Sequence, residues 1–376
     1  MKYFFSVGEA SGDIHAAELI KELQKVDSQA KFVYLGGDLM REATGCEPVI
    51  DYREMAYMGF SEVLRNLNKV FGNLRRAKEA LRQSCPDALI LVDYPSFNLK
   101  LAKEAYKLNI PVFYYISPKV WAWKEYRVKQ IKKYVTKLYS ILPFEVDFFK
   151  KHNYEVTYVG NPSVEEIEQR MKSLPSVDNF INTHKLEARP ILALVPGSRR
   201  GEIRNNLPIM LEVAKRFPQF QSIIAGAPGI DSSIYSSISN FPVVTGVTFE
   251  LMSIAEAALV TSGTATLEAA LLRTPQVVCY RANGSKFSYN LFKHILKIPF
   301  VSLPNLIANK EIVKEMLVYL CEPNGVEKEL RKVIPGGENH LSQLEGYNLM
   351  RSRLGTNKAA KTTATLIYNN LIQPTL

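Results

Sequence analysis

Residues 2–13 read KYFFSVGEASGD, a short apolar run that ends in two glycines four apart before helical spacing takes over from residue 13. A strand passing through a glycine-bearing turn into a helix is the opening of a βαβ unit. The glycines of Gly8-Glu9-Ala10-Ser11-Gly12-Asp13 let backbone approach a ligand, and a helix start favours anions. The loop lacks the third glycine of G-x-G-x-x-G and the lysine of a Walker loop, so a tight turn with Asp13 as a helix cap explains it as well.

The same alternation recurs along the chain. Apolar runs near 31–36, 88–93, 111–116, 137–142 and 155–159 read as strands, with helical patterns near 13–26, 61–83, 97–108 and 144–151. The pattern restarts at Pro190, with strands near 191–195, 221–225, 242–245, 257–261, 275–280 and 299–302 and helices near 202–217, 263–273, 286–296 and 308–320. Strands separated by helices build parallel sheets. The expected fold is α/β, two doubly wound Rossmann-like domains facing a cleft. The expected division is 1–172, a polar linker at 173–189, 190–340, and a helical tail at 341–376 that crosses back. A length of 376 residues suits two domains at roughly 150 residues each.

Composition excludes several classes. With 47% hydrophobic and 22% charged residues, disorder, collagen and coiled coil are ruled out. No apolar run nears the roughly 18 residues of a membrane span, and Met1–Val7 is too short for a signal peptide. Cys46, Cys85, Cys279 and Cys321 form no C-x-x-C, and the five histidines lie far apart, so no metal site is expected. A reducing cytoplasm is the simplest home.

The formal charge of +10 is concentrated. Residues 61–82 carry six basic side chains against two acidic ones, 119–137 seven against one, and 281–297 four against none. Such patches want an anionic surface or ligand. In the first of them Phe60, Leu64, Leu67, Phe71 and their neighbours follow helical spacing while Arg75 and Arg76 fall between. That pattern reads as an interfacial membrane helix or as an ordinary helix facing the core. Nucleic acid is disfavoured, because no recognition signature accompanies the basicity.

Ligands of doubly wound sheets bind beyond the carboxyl ends of the strands. There, Asp93 follows Leu91-Val92 and precedes Pro95, and it is either a general base or a helix cap. Trp121 and Trp123 both sit in the basic loop 117–124, as a sugar- or lipid-recognition surface or as a core anchor. In the second half, Gly197, Ser198 and Arg199 resemble a diphosphate clamp, while Ser262, Gly263 and Thr264 open a helix with Glu268 one turn in, placed for a ribose diol. Together they describe a nucleotide-diphosphate pocket.

In order along the chain, Gly8-Glu9-Ala10-Ser11-Gly12-Asp13, Met58-Gly59 with Glu62-Val63-Leu64, Ser117-Pro118 with Val120-Trp121-Ala122-Trp123, Leu142-Pro143-Phe144-Glu145, Pro196-Gly197-Ser198-Arg199, Ser262-Gly263-Thr264-Ala265 with Leu267-Glu268, and Ser302-Leu303-Pro304-Asn305 resemble the bacterial lipid A disaccharide synthases. These are inverting, metal-independent glycosyltransferases of the GT-B type. The resemblance implies transfer of 2,3-diacylglucosamine from its UDP derivative to 2,3-diacylglucosamine 1-phosphate, giving a β-1′,6 disaccharide 1-phosphate and UDP. It places the essential aspartate on Asp93 with Glu9 as reserve base, UDP-sugar contacts on Gly197 to Arg199, Ser262 to Thr264, Glu268 and Asn305, and the acceptor at Gly8, Ser11, Gly12, Trp121 and Trp123. It implies no cofactor beyond the UDP-sugar donor, acylated glucosamine phosphate lipids as partners, and a peripheral position on the cytoplasmic face of the inner membrane. A homodimer is compatible with it. Where the family often has Asp-x-Pro-Asp-Phe-Asn, this chain has Asp93-Tyr94-Pro95-Ser96-Phe97-Asn98. The rivals are a UDP-N-acetylglucosamine 2-epimerase and a non-catalytic anionic-lipid-binding protein.

Overall fold

The structure, a computed structural model, describes residues 1–55, 67–281 and 299–373. The chain forms two compact units, Met1–Pro162 with Thr356–Leu376, and Ser163–Gly355.

The first unit carries β1 (Lys2–Ser6), α1 (Ala10–Val26), β2 (Lys31–Gly36), α2 (Asp38–Thr44), β3 (Ile50–Asp51), α3 (Leu67–Ser84), β4 (Ala88–Val92), α4 (Pro95–Lys107), β5 (Val112–Tyr115), α5 (Val120–Trp123), α6 (Val128–Tyr134), β6 (Lys137–Ser140), α7 (Phe144–Lys151) and β7 (Thr157–Tyr158). All seven strands are parallel, in the order β3-β2-β1-β4-β5-β6-β7. Successive residues of β1 and β4 turn to opposite faces and both faces are covered, which is why Tyr3 to Phe5 and all of β4 are apolar: Phe4, Leu89 and Leu91 enter one core, and Tyr3, Phe5, Ile90 and Val92 the other.

The second unit carries α8 (Pro162–Met171), α9 (Val177–His184), β8 (Ile191–Val195), α10 (Arg200–Ala214), β9 (Gln221–Gly226), α11 (Ser233–Ser236), β10 (Val243–Thr245), α12 (Thr248–Ile254), β11 (Ala257–Thr261), α13 (Thr264–Leu271), β12 (Gln276–Tyr280), α14 (Leu303–Ala308), β13 (Lys314–Leu317), α15 (Pro323–Val333) and α16 (His340–Leu354). Its parallel order is β10-β9-β8-β11-β12-β13. The chain then returns to the first unit as α17 (Ala359–Ile372), whose Ala359, Ala364 and Ile367 join Ala16, Leu19, Ile20 and Leu23 of α1 in one core. In each unit the strand order reverses once, between β1 and β4 and between β8 and β11. The loops leaving those strand ends diverge and open the crevice where ligands of such sheets bind.

Two elements differ from the sequence reading. Residues 299–302 form no strand and 308–320 no continuous helix; α14 starts at Leu303, with Pro304 in its first turn, and ends at Ala308, 314–317 is the edge strand β13, and 318–320 is a single 3-10 turn. Proline is at home in a first helical turn, and an edge strand with one side in water alternates too weakly to be told from a helix face. Within 173–189 lies α9, whose Phe180 is buried against β8. Residues 61–66 of the basic helix and the helix expected at 286–296 lie outside the described residues.

Asp13 is nearly fully buried and caps a neighbour rather than its own helix. Its carboxylate accepts Gly37 N–H at 2.7 Å and Leu39 N–H at 3.1 Å, at the start of α2. Asp13→Ala would leave two helix-start amides buried and unpaired, and a loss of about 1–3 kcal/mol is expected in denaturant unfolding. An unchanged midpoint would show that water replaces the carboxylate.

Candidate active site

Asp93 leaves the carboxyl end of β4, the strand that pairs with β1 at the reversal. It and Tyr94 both adopt left-handed backbone, at φ 44° and 48°. Two consecutive non-glycine residues in that region cost roughly 1–3 kcal/mol each, so the surroundings must hold them. They do: the Asp93 carbonyl accepts Tyr114 Oη–H at 2.5 Å and Asn98 Nδ2–H at 2.7 Å. Asn98, fully buried, also donates to the carbonyls of Ser6 and Val92 and accepts Ser6 Oγ–H at 2.7 Å, tying both strands of the reversal together. Tyr94 folds over the first loop, its hydroxyl donating to the Met55 carbonyl. A Cβ on Gly8 would lie 2.2 Å from the Tyr94 ring, and one on Gly12 2.4 Å from Val7. Both glycines are therefore demanded by packing, while Glu9 and Ser11 stand exposed beside them.

The half-buried Asp93 carboxyl is pushed above its ordinary value, first by burial and then by the charge of Glu9, with Lys119 pulling the other way. Lys119 precedes α5 and acts in the same sense on a second acid, Glu145 at the start of α7. Glu145 is buried, accepts Trp121 Nε1–H at 2.8 Å, and is bonded to Ser140 Oγ. Burial pushes it up to about 8, and Asp93 adds to the rise. The hydroxyl network agrees with a neutral acid. Ser140 Oγ lies 2.8 Å from the Leu142 carbonyl and accepts Leu142 N–H, so its single hydrogen serves that carbonyl while a protonated Glu145 donates to it. Trp121 also meets Phe144 edge-on, at 5.0 Å between centroids. Trp123 ends α5, and its side chain lies outside the described residues. The loop thus brings Asp93, Glu9, Lys119, Trp121 and Glu145 into one electrostatic neighbourhood. Glu145, Asn98 and Tyr114 were missed as site residues; the LPFE and D-x-P-x-F-N spacings were the available signals. Ser96, where the family often has aspartate, accepts Arg127 Nη2–H at 2.9 Å.

In the second unit, the loops after β8 and β11 leave adjacent strands. Gly197 is at φ 109°, and Gly263, immediately before α13, at 153°. The amides of the first loop are already engaged: Glu202 accepts Ser198 N–H at 3.1 Å and Arg199 N–H at 3.3 Å, and its other oxygen pairs with the largely exposed Arg199 guanidinium at 3.0 Å. Ser262 is half-buried, and Gly263 and Thr264 are exposed. Glu268 lies half-buried on α13, raised by burial while Arg170 lowers it. Asn305 is fully buried and saturated, donating to the Val313 carbonyl and Glu315 and accepting the amides of Ile312 and Val313. It has no hydrogen-bonding position left for a nucleotide.

On the basic helix α3, Leu74, Ala77 and Leu81 are buried in the core, whereas Phe71 is 57% exposed with Lys100 Nζ 5.5 Å from its ring centroid. Phe71, Leu74, Arg75, Lys78 and Arg82 line a groove of about 570 Å³. Arg76 is spent on Glu54 at 3.0 Å. Phe60, Leu64 and the Leu67 side chain lie outside the described residues. Among those described, no helix is long and apolar enough to cross a membrane, and no three His, Cys, Asp or Glu gather as metal ligands.

Residues 3–365 match the family described as lipid-A-disaccharide synthetase. The chain is 40% identical over 370 residues to the lipid-A-disaccharide synthase of Myxococcus xanthus, covering 95% of this chain and 94% of that protein. Against the enzyme of the same name from Nitrosococcus oceani it is 36% identical over 368 residues, covering 96% and 93%. Among solved structures, UDP-GlcNAc 2-epimerase from Neisseria meningitidis, bound to UDP-GlcNAc, superimposes with a TM-score of 0.65 at 16% identity, covering 99% of this chain and all of that one. At that identity the likeness concerns the fold, which is of the GT-B type.

Glu145 gives a pH test. The native carboxyl titrates at about 8 and the unfolded one near its ordinary 4.5, so between those values the native state holds the extra proton. Stability from this group is complete below 4.5 and is lost as pH rises through 8. Relative to Glu145→Gln, the wild type should lose stability from pH 5 to 8, by at most about 1.4 kcal/mol per pH unit. Guanidinium unfolding at pH 5, 6.5 and 8 measures it; parallel profiles would mean that Glu145 is ionised in the native state.

Proposed function

The chain belongs to the lipid-A-disaccharide synthase family, and we propose how its residues divide that family's work. The activity itself is that of a lipid-A-disaccharide synthase, a glycosyltransferase of lipid A biosynthesis acting on lipid A precursors. In our reading the first unit serves the acylated glucosamine 1-phosphate acceptor and the second the UDP-sugar. The carrying observation is Asp93: a carboxylate at the reversal of the first sheet, raised toward working pH and fixed by a strained backbone locked to Asn98 and Tyr114.

Asp93 is the general base. As the acceptor 6-hydroxyl oxygen attacks the anomeric carbon, its proton passes to Asp93. The bond from that carbon to the diphosphate breaks with its electron pair on the departing oxygen, and configuration inverts. A base works best with its pKa close to the operating pH, and burial moves Asp93 in that direction. Glu9, exposed next to it, raises Asp93 further and is the reserve base. Ser11 and Trp121 bound the acceptor, and Trp123 shares their loop region.

Charge on the leaving diphosphate is offset by Arg199 and by the amides of Gly197 to Arg199 and Ser262 to Thr264. Glu202 now holds two of those amides, so the diphosphate takes over bonds that a carboxylate makes in its absence. Glu268 accepts from the ribose hydroxyls. Asn305 supports this pocket by holding the 302–315 turn.

The membrane part of the reading rests on Phe71 and Arg75 of α3, because Leu74, Ala77 and Leu81 are committed to the core. An exposed aromatic beside the exposed Arg75 suits an anionic leaflet, at about 1 kcal/mol per basic residue, whereas Lys78 and Arg82 are paired with Glu104. We place the protein peripherally on the cytoplasmic face of the inner membrane.

Asp93→Asn should lower kcat by about 10²–10⁴-fold with little change in the donor KM. Near-normal turnover, followed by mass spectrometry of the disaccharide product, would transfer the base role to Glu9. Phe71→Ser with Arg75→Glu should weaken co-sedimentation with phosphatidylglycerol vesicles by about tenfold or more. Equal wild-type binding to neutral and anionic vesicles would remove the electrostatic part.

A further inference from the structure

The mechanism above leaves Glu145 unused. A buried carboxyl is expensive beside an apolar side chain of the same volume, and the core around α7 gives no reason for one. Its polar contacts name the reason: Ser140 on one side and the Trp121 indole on the other. Phe144 and Glu145 are consecutive, and together they grip the same ring, Phe144 by an edge contact at an interplanar angle of 84° and Glu145 by the Nε1–H bond.

We propose that Glu145 is a positioning residue for the acceptor: it fixes the half-buried Trp121 indole so that the ring presents a flat face to the glucosamine ring of the acylated sugar. An indole that stacks on a sugar must be held against rotation, since an ångström of misplacement lowers productive binding steeply. A surface hydrogen bond competes with water; this acceptor does not, because it is buried. The bond survives either protonation state of Glu145, since the oxygen facing Trp121 accepts in both while the other serves Ser140. The charges acting on Glu145 are Lys119 and Asp93, which connect it electrostatically to the base without contact. The proposal rests on the reading that Trp121 borders the acceptor.

The test is steady-state kinetics of the full-length enzyme with the two acylated glucosamine substrates varied separately. Glu145→Leu should raise the acceptor KM on the order of tenfold to a hundredfold and leave the donor KM and kcat within about threefold. Glu145→Gln keeps the carbonyl acceptor and should restore the acceptor KM at pH 7. Trp121→Phe keeps an aromatic ring and removes the N–H; it should reproduce the Glu145→Leu shift, and the double variant should add little. If Glu145→Leu does not fold, Trp121→Phe and Glu145→Gln decide alone. An acceptor KM unmoved by Trp121→Phe, or a Gln variant as impaired as Leu, overturns the proposal. Trp121→Ala separates the two levels: if it leaves the acceptor KM unchanged, the loop does not border the acceptor at all. If it raises that KM while Trp121→Phe does not, only the positioning role falls.

Discussion

Asn98 is the constraint on which the first unit's chemistry depends. A carboxylate at a strand tip is useful only if the backbone turns it out of the sheet, and here that turn needs two left-handed residues in succession. Asn98 makes the turn stable by sharing its two amide hydrogens among the carbonyls of Ser6, Val92 and Asp93, so the loops that diverge beyond β1 and β4 are tied together at their root. Tyr114 from the next strand adds a second bond to the Asp93 carbonyl. The main chain of Asp93 thus carries most of the turn's bonding, and its side chain takes the backbone amide of Tyr94. The helix that follows, α4, starts at Pro95 with Tyr94 as its N-cap and no side-chain cap from that residue, an arrangement compatible with the proposed catalytic carboxylate.

The second unit solves the corresponding problem differently. Its reversal is fitted with glycines at positive φ rather than strained aspartate and tyrosine, which suits loops proposed to offer amides rather than a side chain. Exposed amides at a helix start attract any anion, and the chain supplies its own in Glu202. If the loop binds the diphosphate as proposed, the consequence is selectivity by competition: a ligand with more charge and a second anchoring group on Arg199 would displace the carboxylate, and a weaker monoanion would not.

The fold was legible because parallel strands buried on both faces must be largely apolar, and β4, β8 and the centres of β1 and β11 are. Edge elements were not: β3 is two residues long and β13 has water on one side, so neither writes a clear period. The exposed or half-exposed side chains proposed to do the chemistry, Asp93 in the first unit and Arg199 and Glu268 in the second, are candidates on loop position alone. The residues that hold them are not. Asn98 and Tyr114 act through main-chain carbonyls and Glu145 through a tryptophan, while Asn305, named from its motif, turns out to be saturated by its own turn. Such roles depend on what a fold brings near, and a linear pattern records only residue type and spacing. The glycines of the first loop make the converse point, since Gly8 and Gly12 look like ligand-approach positions yet are filled by Tyr94 and Val7.

The helix α3 shows how one amphipathic pattern serves two environments. A stripe of apolar residues has a fixed area, and whatever packs on the sheet is unavailable to a bilayer. Leu74, Ala77 and Leu81 are spent inside, which fixes the helix rotation and leaves Phe71 outside with Arg75 exposed nearby. Arg76, one position on, is turned toward Glu54 and the Val49 carbonyl instead. Core packing therefore decides which cations can face an anionic surface. Under the proposed peripheral reading, the described part of α3 offers a leaflet only Phe71 and Arg75, and so few residues give shallow, reversible binding.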